Sequence, residues 1–174
     1  MALRNILTLP DETLTKKSKE VISFDDKLWV LLDDMYDTLQ KQEGVGIAAV
    51  QVGILRRVIV IDTGEDEDGV IELINPEIIQ TEGTQREMEG CLSCPDMWGY
   101  VKRPEYIKVK YMNRYGKPQT KEAEELLAIV ISHEIDHLNG VVFPDVADEM
   151  VDEKEAEAER ERKPHRKKKR RVRE

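Results

Sequence analysis

Two histidines and two carboxylates are concentrated in one short stretch of the sequence, HEIDH at 133–137. The stretch follows the apolar run ELLAIVIS at 125–132, so its side chains belong to a helix that is otherwise suited to a protein core. On a helix, HExxH places two imidazoles one turn apart on one face, which allows them to bind one metal ion, and Glu134 can then take a proton from water. Burial of these groups without an ion would be costly. The pattern therefore predicts a metal site with His133 and His137 as ligands.

A catalytic metal that keeps one coordination position open for water needs a third protein ligand. Cys91 is one candidate, because it lies in the small-residue segment EGCLSCP at 89–95 and a thiolate binds divalent iron or zinc strongly. A glutamate after the helix, as in thermolysin-like zinc peptidases, is the other candidate, but the acids there stand in a uniformly charged segment that favours solvent: Glu153, Glu155 and Glu157. The residues favour an open catalytic site of Cys91, His133 and His137.

Three other interpretations of these residues are weaker. Two histidines at a polar helix end can be satisfied without an ion, but here two of the three histidines in the chain lie on the apolar face. A C-x-x-C redox pair of Cys91 and Cys94 lacks a neighbouring βαβ pattern. A closed Cys₂His₂ zinc site would need far shorter spacing between its cysteines and histidines, and it would leave Glu134 without a task.

Two helices are expected from the spacing of apolar residues. Residues 24–41 place their apolar side chains on one stripe, which predicts an amphipathic helix, with Ser23 and Asp26 as a capping pair. The second helix, expected at 121–139, carries HEIDH and ends at an Asn-Gly pair.

The strands are expected between these two helices. The Gly-rich stretch GVGIAAVQVG at 44–53 predicts a tight loop or an exposed edge, and three further segments have the composition of strands: 56–62, 71–79 and 105–113. Strands that neighbour one another in sequence, with helices before and after, predict an α+β fold rather than a wound parallel sheet.

Length and composition limit the class of protein. The chain has 174 residues, of which 40% are hydrophobic and 36% charged, and this is enough for one domain with a sizeable core. No apolar run approaches the roughly 20 residues that cross a membrane. The start of the chain lacks the apolar region of a signal peptide, and two cysteines are too few for a disulfide framework. We therefore expect a cytoplasmic protein without a membrane span.

Three stretches together resemble the motifs of bacterial peptide deformylases: GVGIAAVQ at 44–51, EGCLS at 89–93 and HEIDH at 133–137. They occur in the family's order and at family-like separations, and the similarity covers residues 3–146. The resemblance implies mostly antiparallel sheets packed around a central helix that carries HExxH, with an amphipathic helix near the N-terminus. It also implies a metal-dependent hydrolase that removes the formyl group from the formyl-methionine of newly made polypeptides and releases formate.

The resemblance further implies a role for each residue of the site. The metal ligands would be Cys91, His133 and His137, holding one divalent ion, natively Fe²⁺, with Zn²⁺, Ni²⁺ or Co²⁺ able to replace it. Glu134 would be the general base and then the acid, and the oxyanion would be stabilised by the side-chain amide of Gln51 and the backbone N–H of Leu92. Nascent peptides would be aligned by the backbone at Val45, Gly46 and Gly90. The pocket for the methionine side chain would be lined by Leu126, Ile129 and Val130.

Three residues near these motifs need separate interpretation. Cys94 stands where the family usually has an aliphatic residue, and we expect it to pack as a small hydrophobe. Trp98 stands where some members carry Arg near the mouth of the cleft. The resemblance therefore does not predict which residues are preferred after methionine. Arg103 is expected to pair with an acid near the site, either Glu89 or Glu43.

The charge of the chain is asymmetric. Residues 152–174 carry eleven Lys/Arg and seven Asp/Glu, a net charge of +4, which leaves sixteen and twenty-nine in 1–151, a net charge of −13. We divide the chain into a catalytic domain at 1–147 and a charged extension at 148–174, which we expect to contain a solvated helix and then a basic tail at 163–173.

The basic tail has two interpretations. It is either a solvated segment that aids solubility, or a tether to ribosomal RNA, since formylated N-termini occur on chains leaving the ribosome. The chain is expected to be a monomer. Two other functions stay open at this point: an HExxH zinc peptidase with a downstream Glu, and a non-catalytic, metal-stabilised module that binds RNA or the ribosome.

Overall fold

Helix α1 spans Asp26–Lys41 in the computed structural model of the protein, which describes residues 2–64 and 69–163. Its N-cap is Asp25, whose side chain accepts a hydrogen bond from the Leu28 N–H at 3.3 Å, so the expected capping pair of Ser23 and Asp26 is wrong. The apolar stripe of the helix is buried: Leu28, Leu31, Leu32, Met35 and Leu39. The helical spacing of these residues explains which face of α1 packs inward.

The strands of the described residues form two antiparallel sheets. In chain order they are β1 (Gly46–Ala48), β2 (Val58–Ile61), β3 (Ile71–Glu82), β4 (Gln85–Cys91), β5 (Cys94–Arg103), β6 (Tyr106–Met112), β7 (Pro118–Glu124) and β8 (Glu149–Val151). One sheet has the order β1-β2-β3-β6-β7 and the other β4-β5-β8. The three expected strands correspond to β2, β3 and β6, and the Gly-rich stretch supplies the edge strand β1. Strands β4, β5, β7 and β8 were not expected from the sequence, and β8 lies where the start of a solvated helix was expected.

Strand β2 of the larger sheet is buried on both of its faces. Successive side chains of a strand point to opposite faces. Val58 and Val60 pack in the cluster that contains the apolar stripe of α1. Ile59 and Ile61 pack in the opposite cluster, together with the helix α2, Glu125–Leu138. Two helices thus cover the two faces of this sheet, which explains why the β2 sequence VIVI is apolar throughout.

Helix α2 begins where β7 ends, so the expected start of this helix at 121 is four residues too early. Glu125 has a φ of 50°, which turns the chain sharply at the junction. The helix carries HEIDH in its last two turns and buries most of its length, including His133, Glu134 and His137. Among the helices of the described residues, none is both long enough and apolar enough to span a membrane.

The segment after the short helix α3, Phe143–Val146, packs on the smaller sheet. Strand β8 pairs with β5, and the helix α4, Glu153–Arg162, follows it. Ala156 of α4 is fully buried, and Glu159 accepts a hydrogen bond from the Tyr100 hydroxyl at 3.4 Å. A solvated helix was expected at 148–163. The structure has a helix at Glu153–Arg162 instead, and one face of it packs on the protein.

Candidate metal centre and its cleft

Three side chains from two elements meet at one point. Cys91 is the last residue of β4, and His133 and His137 lie one turn apart on α2. The Cys91 sulfur and one ring nitrogen of each histidine all lie within 4.8 Å of one another, and Cys91 Sγ is 3.3 Å from His137 Nε2. One thiolate and two imidazoles form a donor set that suits Fe²⁺ or Zn²⁺. The structure thus brings together the three ligands expected from the sequence.

The orientation of His133 is fixed by a buried carboxylate. His133 Nδ1 donates to Glu89 Oε1 at 2.7 Å, and Glu89 also accepts two hydrogen bonds from Arg103, each 2.9 Å long. Burial alone would raise the pKa of Glu89, but the hydrogen bonds from His133 and Arg103 outweigh it and hold that pKa below its usual value. With its proton on Nδ1, His133 presents the Nε2 lone pair to the cluster.

Arg103 joins this network to a second acid. Its guanidinium lies on both Glu89 and Asp136, and 7% of its side chain is exposed. The expected pairing of Arg103 with Glu89 is confirmed, whereas Asp136 was not anticipated as its partner. Asp136 is the second acid of HEIDH. It is not part of the ligand cluster, and it binds Arg103 instead.

Glu134 lies beside the cluster without a fixed partner. Its Oε1 is 3.9 Å from His133 Nε2, and its buried Oε2 has no hydrogen-bond partner within the described residues. Burial raises the pKa of Glu134 to about 7. A carboxyl group with such a pKa can both accept and return a proton near neutral pH.

The amide of Gln51 is oriented by the backbone of its own turn. The Ala48 N–H donates to Gln51 Oε1 at 2.9 Å, which directs Nε2 towards Ser93 Oγ at 3.1 Å and Cys91 Sγ at 3.6 Å. The N-terminal segment holds both loops in place, because the Leu7 N–H donates to the Gln51 carbonyl and the Leu9 N–H donates to the Ser93 carbonyl. The amide therefore points its donors at the cluster.

Gly46 allows β1 to approach α2 closely. A Cβ atom at this position would lie 2.9 Å from Val130 Cγ1 and 3.1 Å from Glu134 Cγ, closer than side chains pack. Glycine is therefore required where the edge strand passes Glu134. The edge position of β1 leaves one side of its backbone directed towards the cleft.

A cleft of about 710 Å³ opens in front of the cluster. All the site residues expected from the sequence line it except His137, which is fully buried behind the others: Val45, Gly46, Gln51, Gly90, Cys91, Leu92, Leu126, Ile129, Val130, His133 and Glu134. The cleft also includes residues that sequence reasoning did not assign to it, Met88, Met97 and Arg160. Arg160 is on α4, and only the docking of that helix brings it here.

The competing ligands lie elsewhere. Glu153, Glu155 and Glu157 are exposed on α4, and the metal-binding group found in the described ranges consists of Cys91, His133 and His137. Cys94 is 1% exposed and packs in an apolar cluster with Leu14, Val101 and Phe143, and its thiol also shares a hydrogen bond with the thiol of Cys91, which was not expected of a small hydrophobe. This arrangement disfavours a peptidase that uses a downstream glutamate.

Comparison with known proteins agrees with this geometry. The sequence model of the polypeptide deformylase family matches residues 3–153. A peptide deformylase of Caldicellulosiruptor bescii is 53% identical over 155 residues, which cover 89% of this chain and 92% of that protein. The crystal structure of a peptide deformylase from Legionella pneumophila is 42% identical and superimposes with a TM-score of 0.81, covering 92% of both chains. A structure from Thermotoga maritima is 39% identical with a TM-score of 0.81, covering 85% of this chain and 99% of that one.

These similarities extend over the catalytic motifs and both sheets. The fold is the peptide deformylase fold of antiparallel sheets and helices. The chain therefore belongs to the polypeptide deformylase family, the metallohydrolases that remove N-terminal formyl groups from nascent peptides.

Proposed function

We propose that Cys91, His133 and His137 hold one divalent metal ion at which the formyl group of a formyl-methionyl peptide is hydrolysed. The observation that carries this proposal is the convergence of the three ligand atoms within 4.8 Å, with the buried carboxyl of Glu134 beside them. Three protein ligands leave one position of a tetrahedral site open to water or substrate.

We propose Fe²⁺ as the native ion, with Zn²⁺, Ni²⁺ and Co²⁺ as substitutes, and the proposal is supported by the similarity to the deformylase family and by a donor set that accepts each of these ions. When bound, the ion lowers the pKa of a water molecule to about 7 and polarises the formyl carbonyl. A single thiolate with two imidazoles is compatible with each of these metals, and geometry and availability decide between them.

Glu134 moves the protons of the reaction. Its carboxylate accepts a proton from the attacking water, and its Oε2, which has no other partner within the described residues, is free to do so. The same group then returns this proton to the departing amine, and formate is released. A pKa of about 7 allows Glu134 to work in both directions near neutral pH.

Gln51 and Leu92 stabilise the negative charge that develops on the formyl oxygen. The Gln51 Nε2 donors are directed at the cluster by the hydrogen bond from the Ala48 N–H. Leu92 follows Cys91 directly and lines the cleft, so its backbone N–H lies next to the metal ligand. Donors fixed before the reaction act without reorganisation, and one such donor contributes about 3 kcal/mol to transition-state stability.

The peptide is aligned between the two sheets. Its backbone pairs with the edge strand at Val45 and Gly46 on one side and with Gly90 of β4 on the other. The methionine side chain enters the apolar part of the cleft formed by α2: Leu126, Ile129 and Val130.

The experiment that tests this function is formate release from a formyl-methionyl peptide by anaerobically iron-loaded enzyme. The same peptide without its formyl group serves as the peptidase control. Formate release without cleavage of the control peptide supports the proposal. Cleavage of the control peptide at an internal bond would instead indicate a zinc peptidase, and metal binding without any turnover would indicate a binding module.

Replacing Glu89 by Gln is expected to weaken metal binding by about 10- to 100-fold, because Glu89 orients His133 and increases its basicity. The same change leaves the buried Arg103 with one charged partner fewer, which should lower the free energy of unfolding by several kcal/mol. Metal affinity is measured by competition with a chelator, and stability by urea unfolding. The control is Glu77→Gln, which removes an exposed ion pair with Lys110. Metal affinity equal to wild type in Glu89→Gln would show that Glu89 has only a structural role.

We propose that residues 1–147 form the catalytic domain of a monomeric, cytoplasmic enzyme, and that the basic tail tethers it to the ribosome. The tail at 163–173 lies outside the described residues except for Lys163, and the proposal is supported by its eight basic residues and the acidic charge of the remainder. A tether of this kind raises the local concentration of enzyme where formylated chains emerge.

Deleting residues 164–174 should weaken co-sedimentation with ribosomes at low salt while leaving turnover of a short formyl peptide within about twofold of wild type. Lys163 is retained in this variant because its ammonium binds Glu87 at 2.6 Å. The matched control carries a Gly/Ser tail of the same length. If all three proteins co-sediment equally, the tail is not a tether.

A further inference from the structure

Among the described residues that line the cleft there is one arginine and no lysine. The charged members of its lining are Glu43, Glu89, Asp96, Glu134 and Arg160. Glu89 is bound by Arg103 and Glu134 lies beside the metal ligands, so these two acids are already assigned. Arg160 is the cation that a bound peptide would meet, and the reaction described above does not use it.

Arg160 is held at the cleft by contacts of the C-terminal helix. Its guanidinium carbon lies 5.2 Å from the centre of the Trp98 ring, a cation–π contact. Trp98 pairs with Val151 of β8, which leads directly into α4. A Cβ at Gly90 would lie 3.2 Å from Trp98 Nε1, so the indole stands beside the strand that aligns the peptide.

The helix that carries Arg160 is attached at two further points. Ala156, a residue of α4, is fully buried on the side of the helix that faces the protein. Lys163, which follows the helix, binds Glu87 of β4 at 2.6 Å. These attachments fix α4 relative to β4 and β5, the strands that form one wall of the cleft. The position of Arg160 is therefore set by the fold as well as by Trp98.

The guanidinium of Arg160 is free to bind a ligand. Its side chain is exposed, and no carboxylate of the described residues lies within ion-pair distance of it. Arg162, on the same helix, differs in both respects that matter: it pairs with Glu159 at 3.7 Å and does not line the cleft. A guanidinium has five donors in a planar fork that matches the geometry of a carboxylate, the anionic group that a peptide side chain can offer.

We propose that Arg160 and Trp98 form a subsite that selects peptides with an Asp or Glu side chain at the second residue, directly after methionine. This inference rests on the proposed function, because it needs the formyl group at the cluster and the methionine side chain against α2. A peptide placed in that way leaves the cluster along Gly90 and passes Trp98 next. Without Arg160, the acids of the cleft and the net charge of −13 on residues 1–151 would repel an acidic peptide.

The test compares kcat/KM for matched formylated tripeptides that carry Asp or Lys after methionine, using the full-length, metal-loaded enzyme. In Arg160→Gln, the ratio of kcat/KM for the Asp peptide to that for the Lys peptide should fall by about fivefold, the size expected for loss of an exposed ion pair. The change should appear in KM rather than kcat, because the contact is remote from the reacting atoms. It should also shrink at high salt.

Three further variants make the result specific. Arg160→Lys keeps the positive charge and should retain a ratio near that of wild type, whereas Arg160→Glu should lower the ratio below that of Arg160→Gln. Arg162→Gln removes the same charge from the same helix away from the cleft and should leave the ratio unchanged. Circular-dichroism melting verifies that each variant is folded.

An unchanged ratio in folded Arg160→Gln overturns the subsite, and so does an equal change in Arg162→Gln, which would indicate only the overall charge of the helix. These outcomes differ from a failure of the proposed function. If wild-type enzyme releases no formate from either peptide, the proposed function is wrong. The proposed subsite of Arg160 and Trp98 is then wrong as well, because it depends on that function.

Discussion

Replacing Glu134 by Gln should lower kcat for formyl-peptide hydrolysis by about 10³-fold, the contribution expected of a general acid–base group. The amide has nearly the shape of the carboxyl group, so the cleft and the ligand cluster should be preserved. It cannot accept a proton from water, and Glu89, the other carboxylate that contacts a ligand, is already held by His133 and Arg103. The loss should therefore fall on kcat, with the metal content per chain unchanged.

The measurement is steady-state formate release, with metal content determined on the same preparation. The control is Glu153→Gln, which removes an exposed glutamate from α4 and tests the peptidase alternative at the same time. Glu153→Gln should be as active as wild type. If Glu134→Gln kept more than about a tenth of the wild-type kcat, Glu134 would not be the base, because general acid–base groups contribute at least about 10²-fold.

Replacing Cys91 by Ser should remove metal binding and activity together. A hydroxyl does not ionise as a thiol does, and it is a poor ligand for Fe²⁺ or Zn²⁺. We expect metal affinity to fall by more than about 100-fold, beyond the range that changes around the ligands produce. The cluster would then retain two imidazoles, which are too few for a tight site.

Metal content after desalting and formate release are both measured for Cys91→Ser, and circular dichroism confirms the fold. The matched control is Cys94→Ala, since Cys94 is also a thiol of the same segment but packs in an apolar cluster with Phe143. Cys94→Ala should keep its metal and lose only some stability through the small cavity it creates. Full metal content in Cys91→Ser would show that another residue supplies the third ligand.

Local spacing in the sequence is enough to place the two histidines of HEIDH and Glu134 close together. His133 and His137 are four residues apart, so any helix through them places both imidazoles on one face, whatever surrounds it. The apolar stripe of α1 and the glycines before Gln51 are local signals of the same kind. The third ligand could be narrowed to Cys91 because the other candidates lay in a charged segment.

Other features of the molecule depend on contacts between distant parts of the chain. The hairpin of β4 and β5 was missed because its sequence is rich in Gly, Pro, Glu and Asp, which are poor strand formers, and pairing with its neighbours overrides that preference. The partner of His133 lies 44 residues away in sequence, so only the fold identifies Glu89. The sequence pointed to Glu89 as a partner of Arg103, but no short-range pattern identified it as the partner of His133.

The position of the C-terminal helix is the clearest example of a feature that depends on contacts between distant parts of the chain. From the sequence, the segment after residue 147 is a run of charges, and such runs are usually solvated. In the folded protein, one small residue, Ala156, lets this helix lie flat on the smaller sheet, and Arg160 is thereby carried to Trp98. The sequence by itself placed His133, Glu134 and His137 together on one helix, because helical periodicity is a local property. Only the tertiary structure decided which charges surround the cleft, because that depends on which surfaces pack together.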